Sequence, residues 1–133
     1  CDAEPDGSLP MEMARGPLAL HYQLHAVGPL VVTAALLREE GFLLFAACDR
    51  AIPRAAEFAV AAINDPTLAA AHAGEVQSYA KGDETLREFE VAWAAAYLEF
   101  IDNPDLRQLV AEFSNLGHSK LGGSQTLLWS PQG

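Results

Sequence analysis

The hydrophobic positions of this chain follow helical rather than strand spacing over most of its length. The clearest segment is 85–101, where apolar side chains recur every three or four positions and predict an amphipathic helix. Its apolar positions are Leu86, Phe89, Trp93, Ala96, Tyr97 and Phe100. We expect the acidic residues Glu88, Glu90 and Glu99 to lie on its solvated face.

Proline and glycine divide the rest of the chain into further helices. Residues 1–10 predict an extended lead-in, and Pro17 suits the first turn of a helix. Gly28-Pro29 is expected to kink this helix or to divide it in two, and Gly41 is a plausible cap at its end. The other predicted elements are a short helix at 42–50, a helix at 53–64, an ambiguous segment at 67–83, a helix at 104–116, and a strand or extended tail at 126–129. Five or six helices joined by short loops predict one all-α domain over residues 1–133.

Composition narrows the class of protein and its partners. Half of the residues are hydrophobic and 20% are charged, which is typical of a chain with a packed core. The formal net charge of −10 argues against nucleic acid as a partner. Because 18 consecutive apolar residues do not occur anywhere in the sequence, we expect no membrane span.

The two cysteines, Cys1 and Cys48, leave several possibilities open. They could form one disulfide in an oxidising compartment, but their spacing does not decide this. Cys1 at the first position fits a lipidated N-terminus or the boundary of a fragment, and we expect the boundary.

Candidate chemistry centres on Arg15 and Tyr22. Seven residues make two helical turns, so we expect both side chains on one helix face, about 10 Å apart. A guanidinium can hold a carboxylate through two hydrogen bonds, and a phenol becomes a usable base when positive charge favours its phenolate. Removing a proton next to a carboxylate builds an enolate, and a well-placed donor is worth roughly 3–4 kcal/mol there. Without further context the pair would be an ordinary surface arginine and a half-buried helix tyrosine.

Other candidate residues are weaker. His21 and His25 have the spacing of two metal ligands on one helix face, but no third ligand stands out and we predict neither a metal nor a cofactor. His21 adjoins Tyr22 and, with Lys120, is a candidate substrate contact. Trp93 is either a platform for a sugar ring or a core residue, and the alanine-rich helix around it favours the core.

Three pieces of the sequence resemble the family 5 polysaccharide lyases, the alginate (poly-mannuronate) lyases. The first piece is Leu9-Pro10-x-Glu12-x-x-Arg15 with Ala19-Leu20, Tyr22, Ala26 and Pro29-Leu30; the others are Ala92-Trp93-x-x-x-Tyr97 and Leu121-Gly122-Gly123-x-x-Thr126. The resemblance implies an incomplete α/α toroid of antiparallel helices whose cleft holds a uronate polymer. It also implies metal-free β-elimination in the periplasm or outside the cell.

The resemblance gives the candidate residues roles. Arg15 would neutralise the uronate carboxylate, and Tyr22 would take the C5 proton and return one to O4, which requires both on one sugar face as in mannuronate. These enzymes also use an Asn-His pair on an earlier helix, which this chain lacks, so we expect the C-terminal half of the domain with the N-terminal half as a possible partner.

The negative net charge should repel an anionic polysaccharide at long range, so Arg15 and Lys120 would have to reverse the charge locally. The alternatives are a non-catalytic uronate-binding or scaffold protein of the same fold and a lyase that acts on another uronate polymer.

Overall fold

The computed structural model describes residues 1–78, 88–111, 117–118 and 123–124. These residues form an all-α architecture, as predicted. The α-helices are α1 (Pro10–Met13), α2 (Ala19–Arg38), α3 (Ala47–Asn64), α4 (Thr67–Ala73), α5 (Ala94–Phe100) and α6 (Pro104–Val110). Two 3₁₀ turns cover Gly16–Leu18 and Glu88–Val91, and the two-residue strands β1 (Gly117–His118) and β2 (Gly123–Ser124) pair antiparallel. The toroid remains a prediction.

Helix α2 is the centre of the fold. One side of it is buried against α1, α3, α4 and α5, and its fully buried residues include Leu20, Val27 and Val31. Gly28-Pro29 was expected either to kink the helix or to divide it in two. The helix runs without interruption through these residues, so it is not divided. Pro29 lies on the exposed side, and burial of the opposite side stabilises the helix despite the missing N–H.

By length and composition alone, α2 and the turn before it could cross a membrane. The segment Gly16–Arg38 has a mean hydropathy of 1.3, but half of its apolar stretch is buried inside the molecule. The core helix of a soluble protein can have the same length and composition. Packing against the surrounding helices accounts for this composition.

The C-terminal end of α2 forms a Schellman motif. The Gly41 N–H donates to the Arg38 carbonyl and the Phe42 N–H donates to the Leu37 carbonyl, both at 3.0 Å. Gly41 has φ +92°, which glycine adopts without steric cost. The prediction that Gly41 caps this helix is confirmed.

The predicted helix at 42–50 is wrong. Phe42 and Leu43 belong to no regular element, residues 44–46 form a turn, and the three residues 48–50 have φ between 54° and 58°, the left-handed region. Regular helical geometry follows and continues to Asn64, which agrees with the helix predicted at 53–64. Each left-handed residue that is not glycine costs roughly 1–2 kcal/mol, so other contacts must hold this segment.

Two sets of contacts hold the left-handed segment. The Arg54 guanidinium donates to the backbone carbonyls of Glu4, Cys48 and Asp49. A disulfide joins Cys1 to Cys48, with the Cα atoms 5.1 Å apart. The sequence did not decide whether Cys1 and Cys48 form a disulfide, and in the structure they do.

Asp6 connects the N-terminal lead-in to α4 through a contact with His72. The Asp6 carboxylate accepts hydrogen bonds from the Ser8 N–H and hydroxyl at 2.9 and 2.7 Å, and its other oxygen lies 2.6 Å from His72 Nε2. Burial alone would raise the pKa of Asp6, but the Ser8 hydrogen bonds and the His72 pair outweigh it and lower that pKa below 3.8. The lead-in is therefore attached to the helical core by hydrogen bonds as well as by the disulfide.

The helix predicted at 85–101 is divided. Within its described part, the 3₁₀ turn Glu88–Val91 precedes α5, and the Trp93 indole N–H donates to the Glu90 carbonyl at 3.0 Å. Thr67–Ala73 of the ambiguous segment is helical and ends at Gly74 with φ +74°. Helix α6 begins at Pro104 as predicted and ends at Val110, while 112–116 and the predicted tail at 126–129 lie outside the described residues.

Candidate active site

Arg15 and Tyr22 are in direct contact. The Arg15 Cζ atom lies 4.7 Å from the centroid of the Tyr22 ring, a cation–π contact. The predicted geometry of two turns on one helix is wrong, because α1 ends at Met13 and a 3₁₀ turn separates Arg15 from α2. The turn brings the guanidinium onto the ring, much closer than the spacing of about 10 Å expected along a helix.

The turn that positions Arg15 is fixed by a distant glutamine. The buried Gln77 side chain donates to the Gly16 carbonyl at 3.0 Å and accepts from the Leu20 N–H at 2.9 Å. Gly16 has φ +59°, and an added Cβ there would collide with the Glu75 carboxylate. Gln77 therefore satisfies backbone groups on both sides of the turn and holds it against the start of α2.

The buried Gln23 does the same for the lead-in. Its side chain accepts from the Leu9 N–H and donates to the carbonyls of Gly7 and Ala55. The buried position of neither glutamine was predicted, because nothing in the local spacing of Gln23 or Gln77 distinguishes them from surface residues.

Tyr22 remains accessible from outside. Its side chain is partly exposed at 36%, and its ring lies 6.2 Å from the His25 ring, centroid to centroid. A phenol that is accessible on one side can exchange a proton with a bound molecule, and the Arg15 guanidinium places a positive charge beside its ring.

His21 lies beside Tyr22 and is held by a buried carboxylate. Its Nδ1 atom is 2.9 Å from Glu90 Oε2, and the side chains are 22% and 4% exposed. A carboxylate acceptor at Nδ1 places the imidazole proton on that nitrogen and fixes the orientation of the ring.

The expectation that Glu90 belongs to a solvated face is wrong. The division of the predicted 85–101 helix at Trp93 turns Glu90 inward, where its backbone carbonyl accepts from Trp93 and its carboxylate meets His21. No local pattern reveals this contact, because Glu90 follows His21 by 69 positions in the sequence.

The other candidate residues lie away from the surface or outside the described residues. Trp93 is 1% exposed and packs edge-on against Tyr97, with ring centroids 5.7 Å apart. Trp93 is therefore a core residue, and its ring is too deeply buried to contact a sugar. Lys120 lies outside the described residues. Within the described ranges, no group of three or more His, Cys, Asp or Glu side chains is arranged to hold a metal ion.

The fold and this site define an all-α protein that presents an arginine-covered tyrosine at the start of its central helix. A family model described as alginate lyase matches residues 2–69, half of the chain and the part that contains Arg15 and Tyr22. The chain belongs to the alginate lyase family.

Individual relatives agree with this assignment. A polysaccharide lyase of Stenotrophomonas maltophilia is 43% identical over 76 residues, 57% of this chain and 23% of that protein. An alginate lyase of Azotobacter chroococcum is 30% identical over 130 residues, 97% of this chain and 34% of that protein. An alginate lyase of Pseudomonas syringae pv. syringae is 29% identical over 129 residues, 96% of this chain and 33% of that protein. The chain thus spans about a third or less of the length of these relatives.

Proposed function

We propose that this protein is an alginate lyase that cleaves 4-linked mannuronate polymers by metal-independent β-elimination. The observation that carries the proposal is the contact of Arg15 with the ring of the accessible Tyr22. Membership of the alginate lyase family supports the same chemistry.

The reaction needs a cation and a proton carrier at one place. Arg15 neutralises the uronate carboxylate and lowers the cost of the enolate that forms when the C5 proton leaves. The Tyr22 phenolate takes that proton, and the electron pair of the C5–H bond forms the C4–C5 double bond. The C4–O4 bond then breaks, and O4 leaves with its electron pair and receives a proton from Tyr22.

The same side chains bear on the choice of polymer. One phenol can remove the C5 proton and protonate O4 only when both lie on the same face of the sugar, which holds for mannuronate and not for guluronate. His21, oriented by Glu90 next to Tyr22, is proposed as a substrate contact. Lys120 is proposed as a further cation for the polymer.

We further propose that the protein works in the periplasm or outside the cell. The Cys1–Cys48 disulfide supports this location, because disulfides persist in oxidising compartments and are rare where thiols are kept reduced.

The experiment is the ultraviolet absorbance of poly-mannuronate treated with the protein in the length its gene encodes. β-Elimination leaves a conjugated unsaturated uronate that absorbs, whereas hydrolysis or binding does not. We expect absorbance to rise with the protein and with a Tyr97→Phe control, whose tyrosine lies in the core, but not with Tyr22→Phe.

The other outcomes decide between the alternatives. A rise with Tyr22→Phe would keep the lyase and remove Tyr22 as the proton carrier. A flat trace on poly-mannuronate with a rise on poly-guluronate or another uronate polymer would change the substrate. Flat traces on all of them, with binding retained, would favour a non-catalytic binding protein.

A further inference from the structure

A second basic site lies at the opposite end of α2 from Tyr22. A cavity of about 330 Å³ opens there, and the side chains that define it are Arg38, Phe42, Leu43, Phe45, Arg50 and Ile101. Among the described residues its lining includes two arginines and no carboxylate. Two guanidinium groups at one cavity can hold an anion there.

Both guanidinium groups can reach a ligand. Arg38 stacks on Phe100, with its Cζ atom 5.1 Å from the ring centroid; this contact orients the side chain, and a guanidinium stacked in this way can still donate N–H groups to a ligand. Arg50 is 60% exposed, and its Glu57 partner is 3.9 Å away and 48% exposed. A pair so long and so solvated contributes little and yields readily to a better acceptor.

The backbone that presents Arg50 is held from several directions. Arg50 is the last of the three left-handed residues, and the Arg54 hydrogen bonds and the Cys1–Cys48 disulfide fix the two before it. An over-determined conformation of this kind is a recurring feature of ligand sites.

Large apolar side chains complete the cavity. Phe42 is 58% exposed and Leu43 is 65% exposed at its edge, so both offer apolar surface to a ligand. A concave site with an apolar lining and a few convergent charged groups has the character of a small-molecule site. It suits a ligand with an apolar ring face and a carboxylate.

We propose that this cavity is an accessory binding site for uronate oligosaccharides, in which Arg38 and Arg50 hold a carboxylate and Phe42 contacts the sugar ring. The identity of the sugar rests on the proposed function, whereas the anionic character of the ligand rests on the cavity itself. The site lies about 24 Å from Tyr22 along α2 at 1.5 Å per residue, so it takes no part in the reaction. A polymer held here would keep its other segments at high local concentration near Tyr22.

The test is calorimetric titration of mannuronate oligosaccharides into the chain and its variants, all carrying Tyr22→Phe so that the ligand is not cleaved. We expect R38Q combined with R50Q to weaken one set of sites about tenfold or more. The matched control Arg107→Gln also removes an exposed arginine, one that pairs with Asp102, and should leave binding unchanged. Unchanged affinity in the double variant, an equal loss in the control, or no binding by any variant would overturn the proposal.

A second measurement uses the unsubstituted arginines, so misfolding of a variant cannot affect it. Phenylglyoxal modifies exposed arginines, and mass spectrometry locates the modified positions. The oligosaccharide should protect Arg38 and Arg50 but not Arg107, and equal modification with and without ligand would refute the site. If the absorbance assay is flat while this protection is seen, the lyase proposal fails and the binding site remains.

Discussion

In the part of the chain that the structure describes, the Tyr97 hydroxyl is buried without a hydrogen-bond partner, so removing it should stabilise the protein. The residue is fully buried, and its oxygen finds no acceptor or donor in the described part of the chain. The ring packs edge-on against Phe45 and Trp93, with centroids 6.2 and 5.7 Å away. Tyr97→Phe keeps these contacts and removes one oxygen. Because an unsatisfied buried polar group costs roughly 1–3 kcal/mol, we expect a gain of about 1 kcal/mol in the free energy of unfolding at pH 7.

The loss of stability at alkaline pH should change the free energy of unfolding more than the unpaired hydroxyl does at pH 7. Burial raises the pKa of Tyr97 to about 12, with a further rise from Glu57 and an opposing effect of Arg50, against a reference pKa of 10.0. A folded-state pKa above the unfolded one gives stability that is fully present below pH 10 and is lost as pH rises towards 12. At about 1.4 kcal/mol per pKa unit, this titration costs the native protein about 3 kcal/mol, and phenylalanine has no such titration.

Urea unfolding between pH 7 and 12 measures both quantities. The difference between Tyr97→Phe and the parent should widen above pH 10, because only the parent carries the buried phenol at position 97. Parallel curves for Tyr97→Phe and the parent would refute the buried titration. A loss of stability at pH 7 would show that the hydroxyl has a partner.

Three further changes test the contacts that position the site. Glu90→Gln removes the carboxylate that orients His21, and we expect kcat to fall about tenfold and the NMR signals of the His21 ring nitrogens to move at a fixed pH; unmoved signals would contradict the pairing. Asp6→Asn should cost less than about 1 kcal/mol at pH 7 because the side chain is half exposed. Since the folded pKa of Asp6 is lowered, its contribution is present above pH 3.8 and lost as pH falls through the folded value, so equal acid unfolding curves for variant and parent would refute it. Replacing Cys1 and Cys48 by serine opens a loop with a sequence separation of 47 and should cost about 4 kcal/mol, measured against the parent with and without reductant; equal stabilities would contradict the bridge.

Local features of the sequence were sufficient for much of the fold. Apolar spacing predicted the all-α class, Pro104 marked the start of α6, and Gly41 marked the end of α2. Each of these depends on contacts within one or two helical turns, which neighbouring residues determine. The segment at 42–50 was mispredicted because its left-handed conformation depends on Cys1, Glu4 and Arg54, which its own residues do not reveal.

The sequence by itself selected Arg15 and Tyr22 as candidate site residues, through a segment that resembles the alginate lyases. Only the tertiary structure decided how they meet. Gln77, 57 residues beyond Leu20, fixes the turn that places the guanidinium on the ring. Glu90, 69 residues beyond His21, becomes a buried partner instead of a surface charge. The physical reason is that helix propensity and spacing act over a few residues, whereas the orientation of a side chain in the site depends on which distant segment packs against it.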